Sequence, residues 1–294
     1  MKVSHFLVLS FYGLSDAVNL SSWTTLSPTA EDGALRLADV DTTPNILLDA
    51  RDSPSVYRVA TDLAMDFGRV LGKNGTVYLT NTTADYTTKP LIIIGTIGSS
   101  PNLIDKLVSS GKIDVSKTKG QWEAYISILV DSPLPGISSA LVVAGADRRG
   151  VIFGVYDMSE QIGVSPYWWW TDVPSKKQTA VYAKKMTKVQ PSPSVKYRGI
   201  FVNNEAPALR NWIDANYPPF PTGPGFGVPF WTKVFEMLLR MKANYLWPTT
   251  WDSEFYIDDK NNAIAADLYG IVMGTSHTGQ CQLADDLIRN SNIW

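Results

Sequence analysis

The sequence contains a single cysteine, Cys281, so no disulfide can form within the chain. It has two histidines, His5 and His277. No group of residues has the spacing of zinc ligands, and no glycine-rich loop has the Walker pattern. Neither a metal centre nor any other cofactor is therefore expected. Charged residues make up only 18% of the chain and the formal net charge is −2. That balance gives no electrostatic footprint for nucleic acid. The one basic stretch, residues 175–190, reads as a solvated surface segment. No membrane span is expected, because the longest apolar run, near the N-terminus, is too short to cross a bilayer.

What is abundant is apolar and aromatic. The 294 residues are 45% hydrophobic, with 10 Trp and 13 Tyr, a soluble composition long enough for two cores. Low charge with many aromatics suits proteins that meet carbohydrate, because sugar rings pack on aromatic faces. A large aromatic core is the simpler account of most of these rings. The first residues, MKVSHFLVLSFYGLSDAVNL, place one lysine before a short apolar run and then small and polar residues, the layout of a secretory signal peptide over residues 1–18. A buried first strand is the alternative. Sequons at Asn19, Asn74 and Asn81 agree with a secreted, extracellular glycoprotein.

Between residues 40 and 190, strand and helix signals alternate. Apolar residues at helical spacing (Val56, Val59, Leu63, Phe67, Val70) predict a helix over 53–72. Residues 76–81 alternate as a strand, and LIIIG (91–95) reads as a strand buried on both faces. A short helix over 100–112 is expected, with Ser100 as N-cap and Pro101 in the first turn. Strands at 122–130 and 140–145 and a helix at 147–164 complete an α/β sandwich with a mixed sheet of about four or five strands. Residues 175–197 read as a linker. A second βαβαβ rhythm follows: strands at 196–204, 244–248 and 270–277, with helices at 228–246 and 261–270. The longer helix has an apolar face (Phe230, Val234, Met237, Leu238, Met241) and a polar one (Lys233, Glu236, Arg240). The expected organisation is a leader at 1–18, an α/β domain at 19–190, and at 191–294 about three βα units of an incomplete (β/α)8 TIM barrel, which needs roughly 250 residues to close.

In parallel α/β folds, function gathers at the carboxyl ends of the strands. Those ends carry Asn203, Asn204 and Glu205, then Trp247 with Trp251, then Ser276 and His277. Together they offer a carboxylate, neutral hydrogen-bonding groups, an imidazole and indole walls, which is what a sugar site requires. Each residue also has a plainer account. Glu205 could be a loop carboxylate, His277 a structural histidine, and the two tryptophans could cover the end of the fold. Arg148 and Arg149 stand at a helix start, where cations oppose the helix dipole, and so call for either a carboxylate partner or exposure to water.

These blocks resemble glycoside hydrolase family 115, the secreted α-glucuronidases that act on xylan. The resemblance lies in GADRRGVIFGVYDMSEQIGVSPYWWWTDVP (145–174), RGIFVNNEAPALRNW (198–212), FEMLLRMKANYLWPTTW (235–251) and LYGIVMGTSH (268–277). The first unit is similar to the α/β domain that precedes the barrel in this family and in β-hexosaminidase-like enzymes. The resemblance implies removal of α-1,2-linked glucuronic acid, or its 4-O-methyl ether, from glucuronoxylan or glucuronylated xylo-oligosaccharides, with inversion and without metal. It puts Glu205 among the catalytic residues, Asn203, Asn204 and His277 against substrate, and Trp247 and Trp251 as walls. The family's Asn-Asp-Glu falls on Asn203, Asn204 and Glu205, so an amide replaces the middle acid. After His277 the family continues with His and Glu-Pro-Met, whereas this chain reads Thr278-Gly279-Gln280-Cys281. The expectation is thus a fragment that is inactive by itself and poorly soluble. A non-catalytic carbohydrate-binding fragment or pseudo-enzyme is the alternative, and a truncated gene model without function is a third reading.

Overall fold

The computed structural model describes residues 24–220, 223–249 and 253–274. The chain begins with β1 (Leu26–Ser27), β2 (Leu35–Asp39) and β3 (Asn45–Leu48), then α1 (Pro54–Leu71), β4 (Thr76–Leu79), β5 (Leu91–Thr96) and α2 (Ile104–Ser109). It continues through β6 (Tyr125–Asp131), β7 (Ser139–Gly145), α3 (Arg148–Gln161), β8 (Ala180–Ala183) and β9 (Thr187–Gln190). The last stretch holds β10 (Gly199–Phe201), α4 (Leu209–Asn216), α5 (Val228–Arg240), β11 (Tyr245–Trp247), α6 (Phe255–Asp258), α7 (Asn261–Tyr269) and β12 (Val272–Met273).

The central layer is a six-stranded sheet in the order β4-β3-β5-β7-β6-β9. β3, β4, β5 and β7 run parallel, β6 pairs antiparallel with β7, and β9 pairs antiparallel with β6 and so runs in the direction of the first four. The mixed sheet agrees with the sequence pattern, but it has six strands where about four or five were expected: β3 was not singled out, and β9 lies in the segment read as a linker. β8 lies there too, pairing with β1 and β2 in a separate three-stranded sheet. The basic character of 175–190 hid both strands. Its lysines are not merely solvated: Lys188 is paired with Asp157 at 2.8 Å, and Lys184 with Glu31 at 3.0 Å.

α1 follows the sequence closely. Ser53 caps it by accepting the Ser55 N–H, Pro54 opens it, and Gly72 ends it in the left-handed conformation that glycine adopts without strain. α2 starts later than expected, with Leu103 rather than Ser100 at the cap position. The Leu103 and Asp105 N–H groups donate to the Ser100 carbonyl, and the Asn102 N–H is taken by Asp49. A separate turn therefore precedes the helix. In α3, Asp147 caps by accepting the Gly150 N–H.

Two apolar clusters sandwich the sheet. α2 covers one face with Leu103, Ile104 and Leu107. α1 and α3 cover the other, and that cluster continues without a break into Phe230, Trp231, Phe235 and Leu238 of α5 and Leu246 of β11. β10, β11 and β12 form a parallel, in-register sheet beyond it. The expected rhythm of parallel strands and helices is therefore present as a three-stranded sheet, and barrel closure is not part of the described structure.

Buried ion pairs cross the same junction. Arg240 of α5 donates to both oxygens of Asp66 of α1, at 2.9 and 3.1 Å, and through Nε to Glu236 at 2.9 Å. Glu236 and Arg240, expected on a polar outer face, are both buried, whereas Met241, expected in the core, is exposed. Pairing with α1 inverts the pattern, because a guanidinium is buried at low cost only where a carboxylate faces it. Arg148 and Arg149 find carboxylates: Arg148 pairs with Asp267 at 2.8 Å and Arg149 with Glu123 at 2.6 Å. Glu123, fully buried, also accepts from Arg198 at 2.8 Å and from Asn244 at 2.6 Å. Arg198 immediately precedes β10, and its carbonyl accepts the Asn244 and Tyr245 N–H groups ahead of β11. Glu123 thus anchors the start of both strands.

Candidate active site

Leu246 points into the α5 core while its neighbours Tyr245 and Trp247 point the opposite way, as strand alternation requires. Register sets Phe201 beside Trp247 and Gly199 beside Tyr245. The Phe201 and Trp247 rings meet edge to face at 6.0 Å, and Tyr197 lies 6.1 Å from Tyr245. The Trp247 indole N–H donates to the Tyr245 hydroxyl at 2.5 Å. This aromatic face is half open, with Phe201 43% and Trp247 37% exposed. Only glycines fit opposite it. A side chain at Gly274 would collide with Tyr245 and Trp247, and one at Gly199 would collide with the Tyr245 backbone.

Asn203, Asn204 and Glu205 continue directly from β10, at the edge where Trp247 ends β11. The Val202 N–H still bonds the Trp247 carbonyl at 3.0 Å, so the two strand ends remain side by side to that point. Asn203 and Glu205 are exposed and Asn204 is buried. The structure thus sets the end of β10 beside Trp247 as far as Val202, and Asn203, Asn204 and Glu205 follow it in the chain. Trp251, Ser276 and His277 lie outside the described residues. So do the leader at 1–18, Asn19 and Cys281.

The rim has a second aromatic neighbourhood that sequence reasoning left unassigned. α4 follows Glu205 and presents Trp212 to Trp169 and Trp170, with ring centres 6.0 and 5.6 Å apart. Tyr217 and Phe230 close the group. Trp168 turns inward, where its indole N–H donates to Glu236 at 2.9 Å and Arg69 stacks on its face at 3.8 Å. Burial works to raise the Glu236 carboxyl, but Arg240, the Trp168 N–H and Lys233 outweigh it and hold the pKa below the ordinary value. Phe201 and Tyr245 were also missed as wall residues. The period-two pattern around Leu246 would have found Tyr245, and Phe201 follows only from strand register.

Aromatic faces and neutral amides are the kinds of group that sugar sites use, and Glu205 adds a carboxylate in the same stretch of chain. Comparison with known proteins gives that chemistry a lineage. Residues 190–291 match the model of glycosyl hydrolase family 115. The structure resembles that of BtGH115A, a family GH115 4-O-methyl-alpha-glucuronidase with specificity for decorated arabinogalactans, with 32% identity and a TM-score of 0.68. The match covers 84% of this chain and 30% of that one. Weaker likenesses are to CpGH84D (10% identity, TM-score 0.47; 86% of this chain, 36% of that one) and to a GH20 exo-beta-N-acetylglucosaminidase from Vibrio harveyi (11%, 0.43; 85% and 34%). No curated protein matches the sequence. The chain belongs to glycoside hydrolase family 115, and it spans under a third of the length of the solved family member.

Proposed function

We propose that the chain is part of a secreted α-glucuronidase that removes α-1,2-linked glucuronic acid, or its 4-O-methyl ether, from xylan. The observation that carries this reading is the likeness to a 4-O-methyl-alpha-glucuronidase over 84% of the chain. In this reading Glu205 is a catalytic carboxylate. Asn203, Asn204 and His277 contact the sugar, and Trp247 and Trp251 form its walls. Inversion requires a general acid on the leaving oxygen and a general base on a water across the ring, with the two carboxyls about 6.5–9.5 Å apart. Glu205 supplies one of that pair. The test is the substitution equivalent to Glu205→Gln in the solved family member, read as release of 4-O-methylglucuronic acid. A fall in kcat of at least about 10²-fold is expected, and unchanged turnover would remove Glu205 from the site.

One observation favours a second substrate. The solved relative is specific for decorated arabinogalactans. A full-length enzyme carrying this sequence, offered glucuronoxylan and decorated arabinogalactan side by side, separates the two: faster release from arabinogalactan would overturn the xylan assignment and leave the α-glucuronidase assignment standing.

A further inference from the structure

Among the described residues, β4 is one edge of the six-stranded sheet and pairs only with β3. Its Thr76 N–H donates to Pro44, and the N–H of Thr80, just past the strand, donates to Leu48. By strand alternation the N–H groups of Val77 and Leu79 then point away from the sheet. All four residues of β4 are half exposed, and the strand contains neither a charge nor a proline. An edge of this kind is a template for pairing with another chain, and folded proteins usually blunt it. The opposite edge does so: β9 contains Lys188, whose charge turns inward to Asp157, and it runs into Pro191 and Pro193.

The two sequons in the described residues bracket β4. Asn74-Gly75-Thr76 leads into it and Asn81-Thr82-Thr83 leaves it, and both asparagines are exposed. The Asn74 side-chain oxygen packs on the bare Cα of Gly68 in α1. Thr76 is both the first residue of β4 and the hydroxyl of its sequon. The strand between them is only about 13 Å long, and an N-glycan is bulky and solubilising.

We infer that Asn74 and Asn81 each carry an N-linked glycan, and that the pair shields the β4 edge from edge-to-edge association. This rests on the reading that the chain enters a secretory pathway. The test is translation of the chain, with its own N-terminus, into endoplasmic-reticulum microsomes, followed by secretion from a eukaryotic host. Protease-protected chains should lose one glycan step with Thr76→Val and one with Thr83→Val, while Thr76→Ser and Thr83→Ser keep them. Trimming the folded parent with an endoglycosidase should raise the aggregated fraction several-fold by light scattering, with no substitution involved, and the double valine variant should match it. A protected chain without these steps overturns the proposal. So does a chain left outside the microsomes, which has no route to modification and also removes the secretory reading. A trimmed protein as monodisperse as its parent overturns the shielding role.

Discussion

Replacing Arg240 with Met tests whether the two sheets are held together by a buried ion network or only by apolar packing. Arg240 and Asp66 have side chains 2% and 0% exposed, and the guanidinium engages both carboxylate oxygens. It also stacks on Tyr156, 4.5 Å from the ring centre. Methionine keeps much of the length of the side chain and removes the charge. Asp66 would retain Arg69 at 2.5 Å, and Glu236 would retain the Trp168 N–H, so neither acid is left wholly alone. Removing one partner of a buried pair costs about 3–5 kcal/mol, and the residual partners place this case at about 3 kcal/mol, the lower end of that range. Urea unfolding at neutral pH, with the slope unchanged, is the measurement. A loss below about 1 kcal/mol, the worth of a surface pair, would refute the reasoning. A double variant, Asp66→Leu with Arg240→Met, sharpens it. Apolar residues replacing a whole buried pair are often near neutral, so the double variant should lose less than the two single losses added together. Additive losses would mean that the network does not act as one unit.

Other perturbations probe separate parts of the fold. Because the Glu236 pKa is lowered, its contribution to stability is complete above the unfolded glutamate value of 4.5 and is lost as pH falls through the folded value; the gap in urea midpoint between the parent and Glu236→Gln should therefore close in acid. Gly199→Ala forces β10 away from the Tyr245 backbone and should cost about 1–3 kcal/mol, read by thermal unfolding; an unchanged Tm would mean that the strands separate freely. Glu123→Gln removes the charge facing Arg149 and Arg198 and should cost about 3–5 kcal/mol by urea titration; a loss like that of a surface substitution would show that Glu123 does not anchor β10 and β11.

The elements with strong local signals were legible in the sequence. α1 has its cap, its apolar face and its terminal glycine, and β5 is an uninterrupted apolar run that is buried throughout. β8 and β9 were not, because Lys184 just after β8 and Lys188 in β9 read as surface while the carboxylates that neutralise them, Glu31 and Asp157, lie far away in sequence. Glu236 and Arg240 failed for the same reason: a helical pattern reports polarity, and only tertiary structure reports that Asp66 awaits the arginine. At the rim, the sequence pattern carried the first strand to Asn204, three residues past the end of β10 at Phe201, and it set Trp247 near the end of β11. It did not identify Phe201 as part of the same aromatic face, because strand register, and not sequence, puts it beside Trp247.

The resemblance sets an acid of the family at Asn204, and the surroundings of that residue bear on how an amide stands there. The residue is 4% exposed, between two exposed neighbours. A carboxylate at that depth must be paired or carry a large desolvation cost, while an amide remains neutral. With Asn204→Asp, burial acts to raise the pKa of the new carboxyl above the ordinary aspartate value of about 3.9. A raised folded pKa makes the protonated form the compatible one. Stability of the variant should match the parent well below that ordinary value and fall away as pH rises through the folded pKa. The loss amounts to about 1.4 kcal/mol for each pH unit that separates the folded from the unfolded pKa. Urea midpoints of the parent and Asn204→Asp across the acid range measure it. A variant equally stable at every pH would mean that the rim can already accommodate the family's acid at this depth, and the departure would then concern substrate alone.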